Sequence, residues 1–334
     1  MQRQQQLSSW LEKVLPGEQF SLAPASADAS FRRYFRVTLP GRTLIAMDAP
    51  PQHEDCRPFV HAAEVFGAAG VHVPRVIEQD LAQGFLLLTD LGNTTYLSAL
   101  NADTAADLYR DAMDALIRIQ EASRSGVFPL YDEALLTREM SLFPEWYVGK
   151  HLNATLDDKQ QVVLHKAFDT LNRNILSQGQ VYVHRDYHSR NLMVCDDAIG
   201  ENPGILDFQD AVYGAITYDL VSLLKDAYIR WEEEQVLDWV VRYWEKAKKA
   251  GLPVPQDISD FYRDLEWMGA QRHLKVLGIF ARLYHRDGKD GYLKDLPLVM
   301  DYLRRACERY IELRPLVRLL DQLENRQSQV GYTF

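Results

Sequence analysis

Cysteine is scarce in this chain. Cys56, Cys195 and Cys307 are far apart, odd in number and without paired metal-ligand spacing, which excludes a disulfide scaffold or a cysteine-built zinc site. They read as reduced packing residues in a reducing compartment. Positive charge is also in deficit: 37 Lys and Arg against 47 Asp and Glu leave a net charge of −10. General nucleic-acid and anionic-membrane binders gain affinity from basic patches, so neither partner is expected, although a local basic pocket is compatible with the total. No run approaches the roughly 18 apolar residues that span a bilayer, and residues 1–17 lack the apolar core of a signal peptide. A soluble, cytoplasmic protein is expected. The sequons at Asn93 and Asn153 are then accidents of composition.

What is present is globular. With 47% apolar and 25% charged residues over 334 positions, the chain has room for one large or two medium domains with full cores. Leu7, Trp10, Leu11 and Val14 fall at helical spacing before Pro16-Gly17. Residues 20–24, 34–39 and 43–47 then read as strands, the last two joined by the turn signal Pro40-Gly41. Between the first two lies a small-residue loop, 25–33, whose backbone N–H groups suit phosphate; Ser26, Asp28, Ala29, Ser30 and Arg33 are its candidate nucleotide contacts. Residues 56–69 are helix-like and end at Gly70. Phe85 to Thr89 has the character of a buried strand with a polar exit at Asp90, Leu91 and Gly92.

From about residue 93 helices take over, with apolar stripes at Leu108, Ala112, Ala115 and Ile119 and at Leu164, Phe168, Leu171 and Ile175, the second capped by Gly179. Short strands at 181–183, 192–194 and 205–206 follow, and helices are predicted at 218–228, 231–249, 257–285 and 294–325. The chemistry is concentrated among those short strands. His184-Arg185-Asp186 is followed five positions after the aspartate by Asn191, and Asp207-Phe208 ends an apolar run sixteen positions further on. The pattern suits phosphoryl transfer: Asp186 accepts the proton of an attacking hydroxyl, while Asn191 and Asp207 offer oxygen ligands to the Mg²⁺ that neutralises the phosphates of ATP. The spacing is that of a kinase catalytic loop and its metal-binding aspartate.

Strands first, a hinge-like run, then a helical half with these motifs: the chain resembles the aminoglycoside phosphotransferase and choline kinase superfamily. The resemblance implies an α+β, bilobal, protein-kinase-like fold, with a β-rich lobe over residues 1–92 and a larger helical lobe over 93–334. The phrases at 27–36, 47–51, 142–147 and 271–278 look most like anomeric kinases for N-acetylmuramate and N-acetylglucosamine. What that implies is an ATP- and Mg²⁺-dependent enzyme of bacterial peptidoglycan recycling, acting on the C1 hydroxyl of a small amino sugar. It makes Asp186 the base, gives the metal to Asn191 and Asp207, and gives the adenine to the backbone of Thr89, Asp90 and Leu91. Asp219, in Tyr218-Asp219-Leu220, would brace the catalytic loop, and His188 reads as a loop histidine satisfied by backbone. Arg272, with His273 and Lys275 on one helix, is a candidate partner for the lactyl carboxylate of N-acetylmuramate, against the reading of that helix face as solvated.

There are departures. The third strand carries Met47 where a kinase has the lysine that holds the α and β phosphates; either Arg33 or Arg36 replaces it, or the phosphates rely on loop amides and Mg²⁺. Glu64 is the loose counterpart of that lysine's glutamate. Kinases for aminoglycosides, choline or homoserine share the same parts and stay open. A protein kinase is disfavoured by the absence of Gly-x-Gly-x-x-Gly and Ala-Pro-Glu, and the missing lysine is the one argument for a non-catalytic pseudokinase.

Overall fold

The structure, a computed structural model, describes residues 2–27, 31–196 and 199–324. The loop candidates Asp28, Ala29 and Ser30 lie outside them. The chain divides into two compact units, residues 1–119 with 190–211, and residues 120–189 with 212–334. Residues 190–211 group with the first unit rather than with their neighbours in sequence. The reason lies in the short hairpin of strands β7 (Leu192–Met193) and β8 (Gly204–Ile205). Met193 and Cys195 pack on Leu91, His72 and Thr95 bridge to the hairpin's strands, and Asn202 donates to Tyr96 and Asp111, which ties the hairpin to the strand-rich unit.

In the first unit, helix α1 (Gln2–Val14) covers an antiparallel sheet of strands β1 (Ser21–Ala27), β2 (Arg33–Leu39), β3 (Arg42–Asp48), β4 (Val76–Asp80) and β5 (Phe85–Thr89), ordered β1-β2-β3-β5-β4. Side chains alternate across a strand, and that parity decides what faces where. Phe35, Val37, Leu44, Ala46, Phe85 and Leu87 join Leu7, Trp10 and Leu11 of α1 in one apolar core. Tyr34, Arg36, Ile45 and Leu88, of opposite parity, face the other way. The sequence did not mark β4, because Glu78, Gln79 and Asp80 make it a polar edge strand, outermost in the sheet order. Helix α2 (Arg57–Ala68) buries Phe59 and Phe66 against Phe208, while Glu64 is exposed, and helices α3 (Tyr96–Ala99) and α4 (Ala105–Glu121) follow the sheet in sequence.

The second unit is helical. Helices α5 (Glu133–Met140), α6 (Asp158–Ser177), α7 (Tyr218–Leu224), α8 (Glu233–Lys249), α10 (Leu296–Arg309) and α11 (Arg314–Leu323) accompany the long α9 (Ile258–His285), and residues Phe143–His151 wind as a π-helix. Strand β6 (Gln180–Val183) pairs with β9 (Val212–Ala215), which carried no sequence signal. Four expectations change. The helix from 218 stops at Leu224, and the one expected over 294–325 is broken at residues 310–313, where Ile311 is exposed. Gly179 is not a left-handed cap; the helix ends with extended Gln178, and the glycine is required because a Cβ would lie 2.2 Å from the Pro253 carbonyl oxygen. Instead of a solvated face, α9 is buried along almost its whole length, Gln271, Arg272, His273 and Lys275 included. No helix among the described residues is long and apolar enough to cross a membrane.

Candidate active site

The first unit contains a cavity of about 380 Å³ lined by Tyr34, Arg36, Ile45 and Leu88 from the sheet, Thr89 to Asn93 from its exit, and Asn191, Leu206, Asp207 and Phe208 from the hairpin. Its apolar walls and polar end suit a base with a charged tail. Thr89 is fixed on both sides, its N–H donating to the Arg75 carbonyl (3.1 Å) and its Oγ1 accepting from the Arg75 N–H (2.9 Å). Asp90 accepts from Arg36 Nε (2.6 Å) and Nη2 (3.0 Å) and from the Gly92 N–H (3.0 Å). Burial alone would raise the Asp90 pKa, but the bonds from Arg36, Thr43 and Gly92 outweigh it and hold the carboxyl below its ordinary range.

The hairpin explains why a spacing of sixteen residues unites Asn191 and Asp207. Leu192 pairs with Ile205, and the Leu206 N–H donates to the Asn191 carbonyl (2.9 Å), so the residues flanking the two strands meet. Asn191 Nδ2 then donates to Asp207 Oδ2 (3.3 Å), while Gln209 Nε2 donates to Oδ1 (2.8 Å). Asp207 turns in the left-handed region at φ +64°, with a third of its side chain accessible. A carboxamide oxygen and a carboxylate fit a hard cation that completes its shell with water and phosphate oxygens. Among the described residues there is no cluster of three or more His, Cys, Asp or Glu that would form an all-protein cage.

Strand parity sorts the arginines proposed to replace the missing lysine. Arg33 shares the parity of Phe35, and its guanidinium pairs with buried Asp48, which also binds Arg3 (2.8 Å). It therefore serves the α1 side of the sheet. Arg36 is in the cavity but committed to Asp90. Arg32, passed over by the sequence reading, brings Nη2 to 3.6 Å from Asp207 Oδ1, and Arg190 lines the same cavity.

In the second unit the loop after β6 carries Asp186. Asp219 on α7 accepts the N–H groups of His184 at Oδ2 (2.6 Å) and of Arg185 at Oδ1 (3.0 Å). Asp226, which no motif marked, accepts the Ser189 N–H (3.0 Å) and its hydroxyl, as well as the Tyr228 N–H (3.2 Å). One buried carboxylate thus holds each end of the loop. Arg272 donates to the Arg185 carbonyl and to the Tyr218 hydroxyl, both at 3.2 Å, and is engaged from below the loop. His188 sets its ring edge-on to Tyr228, with centroids 5.5 Å apart. Burial would raise the pKa of Asp186, yet the charges of Lys275, His188, Arg272 and Arg185 prevail and keep the carboxyl below its ordinary range. A carboxylate so held is ionised at neutral pH and can take a proton in hydrogen-bonding contact.

The model of a family described as "Phosphotransferase enzyme family" matches residues 21–259. The chain is 50% identical to a Neisseria meningitidis serogroup B protein named N-acetylmuramate/N-acetylglucosamine kinase, over all of both chains. It is also 50% identical to a Pseudomonas aeruginosa protein of the same name, over 96% of this chain and 97% of that one. Among solved structures it is similar to a Mesorhizobium loti choline/ethanolamine kinase family protein (TM-score 0.64, 16% identity, 96% of this chain and 100% of that one). It is also similar to the ADP-bound aminoglycoside phosphotransferase APH(2'')-Ib (TM-score 0.57, 13% identity, 89% and 97%). At such identities the structural likeness speaks for the fold, which is that of these kinases.

Proposed function

This chain belongs to the phosphotransferase enzyme family, and we propose that it uses ATP to phosphorylate the anomeric hydroxyl of N-acetylmuramate and N-acetylglucosamine. The observation that carries the substrate is the 50% identity, over the whole chain, to an enzyme named for those two sugars. The chemistry rests on this chain's own groups. The main chain of residues 89–91 takes the adenine. Asn191 and Asp207 would hold Mg²⁺, which supplies charge neutralisation at the phosphates when bound. Arg32 adds a cation beside Asp207 where the third-strand lysine is missing.

Asp186 orients the sugar's anomeric hydroxyl and accepts its proton as the oxygen attacks phosphorus. That hydroxyl is more acidic than an ordinary alcohol and asks less of the base. Because phosphoryl transfer passes through a loose transition state, position and charge account for most of the acceleration. Arg272, given its bonds to the loop, is better assigned to holding Arg185 than to the lactyl carboxylate. The product is a sugar 1-phosphate, and the enzyme is assigned to the bacterial cytoplasm, in recycling of cell-wall sugars. The test is phosphorus NMR of the protein with Mg·ATP and, separately, N-acetylmuramate, N-acetylglucosamine, choline and kanamycin. A product whose phosphorus couples to the anomeric proton is expected with the sugars. Product with choline or kanamycin alone would keep the chemistry and overturn the substrate.

A further inference from the structure

Beneath the catalytic loop lies a carboxylate that no motif uses. Glu139, near the end of α5, is buried and accepts from Arg185 Nη2, from the Tyr131 hydroxyl and from Lys275 Nζ (3.0 Å), with Gln271 Nε2 at 3.5 Å. Its pKa is lowered: burial opposes this, and Lys275, Arg185 and the Tyr131 bond overcome it. The residue it grips has an unusual backbone. Arg185 adopts φ +78°, a left-handed conformation in a residue that has a Cβ, which is disfavoured and persists only where surroundings over-determine it. Three contacts do so: Asp219 takes its N–H, Arg272 donates to its carbonyl, and Glu139 holds its guanidinium.

We propose that Glu139 is a positioning residue for the catalytic loop, a built-in anion that fixes Arg185 and through it the direction in which the chain presents Asp186. Kinases whose loops are ordered by phosphorylation create such an anion by pairing a new phosphate with arginine. Here α5 supplies it, so the loop geometry is complete in the unmodified chain.

The inference rests on the kinase reading for its activity assay, and a second readout is independent of substrate. In Glu139→Gln, amide hydrogen exchange over residues 183–189 should be faster by about tenfold or more while that of the first unit is unchanged. The kcat should fall by about 10–100-fold, the cost expected of a misplaced catalytic group, with KM for Mg·ATP within about twofold of wild type. Arg185→Gln breaks the same pair from the loop side and should reproduce most of the loss. The double variant should lose little more than either single one. Additive losses, or wild-type loop exchange and turnover in Glu139→Gln, would overturn the proposal. Failure of the wild-type protein to phosphorylate either sugar would sink the substrate reading alone, and the loop-exchange comparison would still decide this one.

Discussion

Replacing Asp219 by alanine removes both acceptors from two buried N–H groups at once. His184 and Arg185 donate to separate oxygens, at 2.6 and 3.0 Å, and Asp219 is 1% exposed, so alanine leaves both donors facing a space closed to bulk solvent. An orphaned buried donor costs about 1–3 kcal/mol, which puts Asp219→Ala at roughly 2–6 kcal/mol. Asp219→Asn keeps one acceptor and turns an NH₂ group toward the other N–H, so about half that loss is expected. Urea unfolding of the three proteins should rank them wild type, Asn, Ala, at similar m-values. A loss under about 0.5 kcal/mol for Asp219→Ala would refute the bracing role.

The same carboxyl makes a pH prediction with two signs. Burial pushes its pKa up to about 7, against the His184 and Arg185 N–H groups and Arg272, while Asp186 pushes the same way as burial. Because the folded value lies above the ordinary carboxylate range, the proton-bound form contributes stability at low pH that is lost as pH rises through about 7. Turnover has the opposite demand, since only the ionised group accepts at both oxygens. Activity should therefore fall as pH drops below about 7 while the stability difference between wild type and Asp219→Asn shifts in favour of wild type. Parallel rather than opposed trends would contradict this account.

Other predictions follow from the same geometry. Asp186→Ala should lower kcat by about 10²–10⁴-fold and leave ATP affinity near wild type in equilibrium binding; near-normal turnover would remove the base assignment. Asp207→Ala should abolish metal-dependent nucleotide binding, and unchanged Mg·ATP affinity in calorimetry would contradict the pairing with Asn191. Gly278→Ala drives a Cβ to 2.4 Å from the Leu142 carbonyl carbon, an overpacking contact worth about 1–3 kcal/mol, to be read as a lowered unfolding midpoint.

The strand-rich half was legible because its signals are local. Pro40-Gly41 marks the hairpin, and the alternation in 33–39 and 42–48 separates the α1 face from the cavity face. Applied one step further, that parity would have set Arg33 aside and brought Arg32 forward. The proposed base and metal residues were marked by their spacing alone, and for Asn191 and Asp207 the β7–β8 hairpin turns that spacing into proximity. Glu139 and Asp226 were not readable, since each is a single acid in a helix or loop whose partners come from distant positions. The burial of α9 was misread for a related reason: charged residues look solvated until the groups that neutralise them are known.

That helix has a consequence for how the second unit comes together. Amphipathic helices can dock one apolar stripe and keep their charges in water, but α9 takes Asp264, Glu266, Arg272 and Lys275 inside. Each has a partner from elsewhere: Asn174 for Asp264, Lys225 and Tyr310 for Glu266, Tyr218 for Arg272, and Glu139 for Lys275. Leaving any one behind in a half-assembled intermediate would strand a charge in a dry interior, the costliest error a core can make. The helical unit is therefore built to assemble in one concerted step, with α9 and the partners of its charges consolidating together.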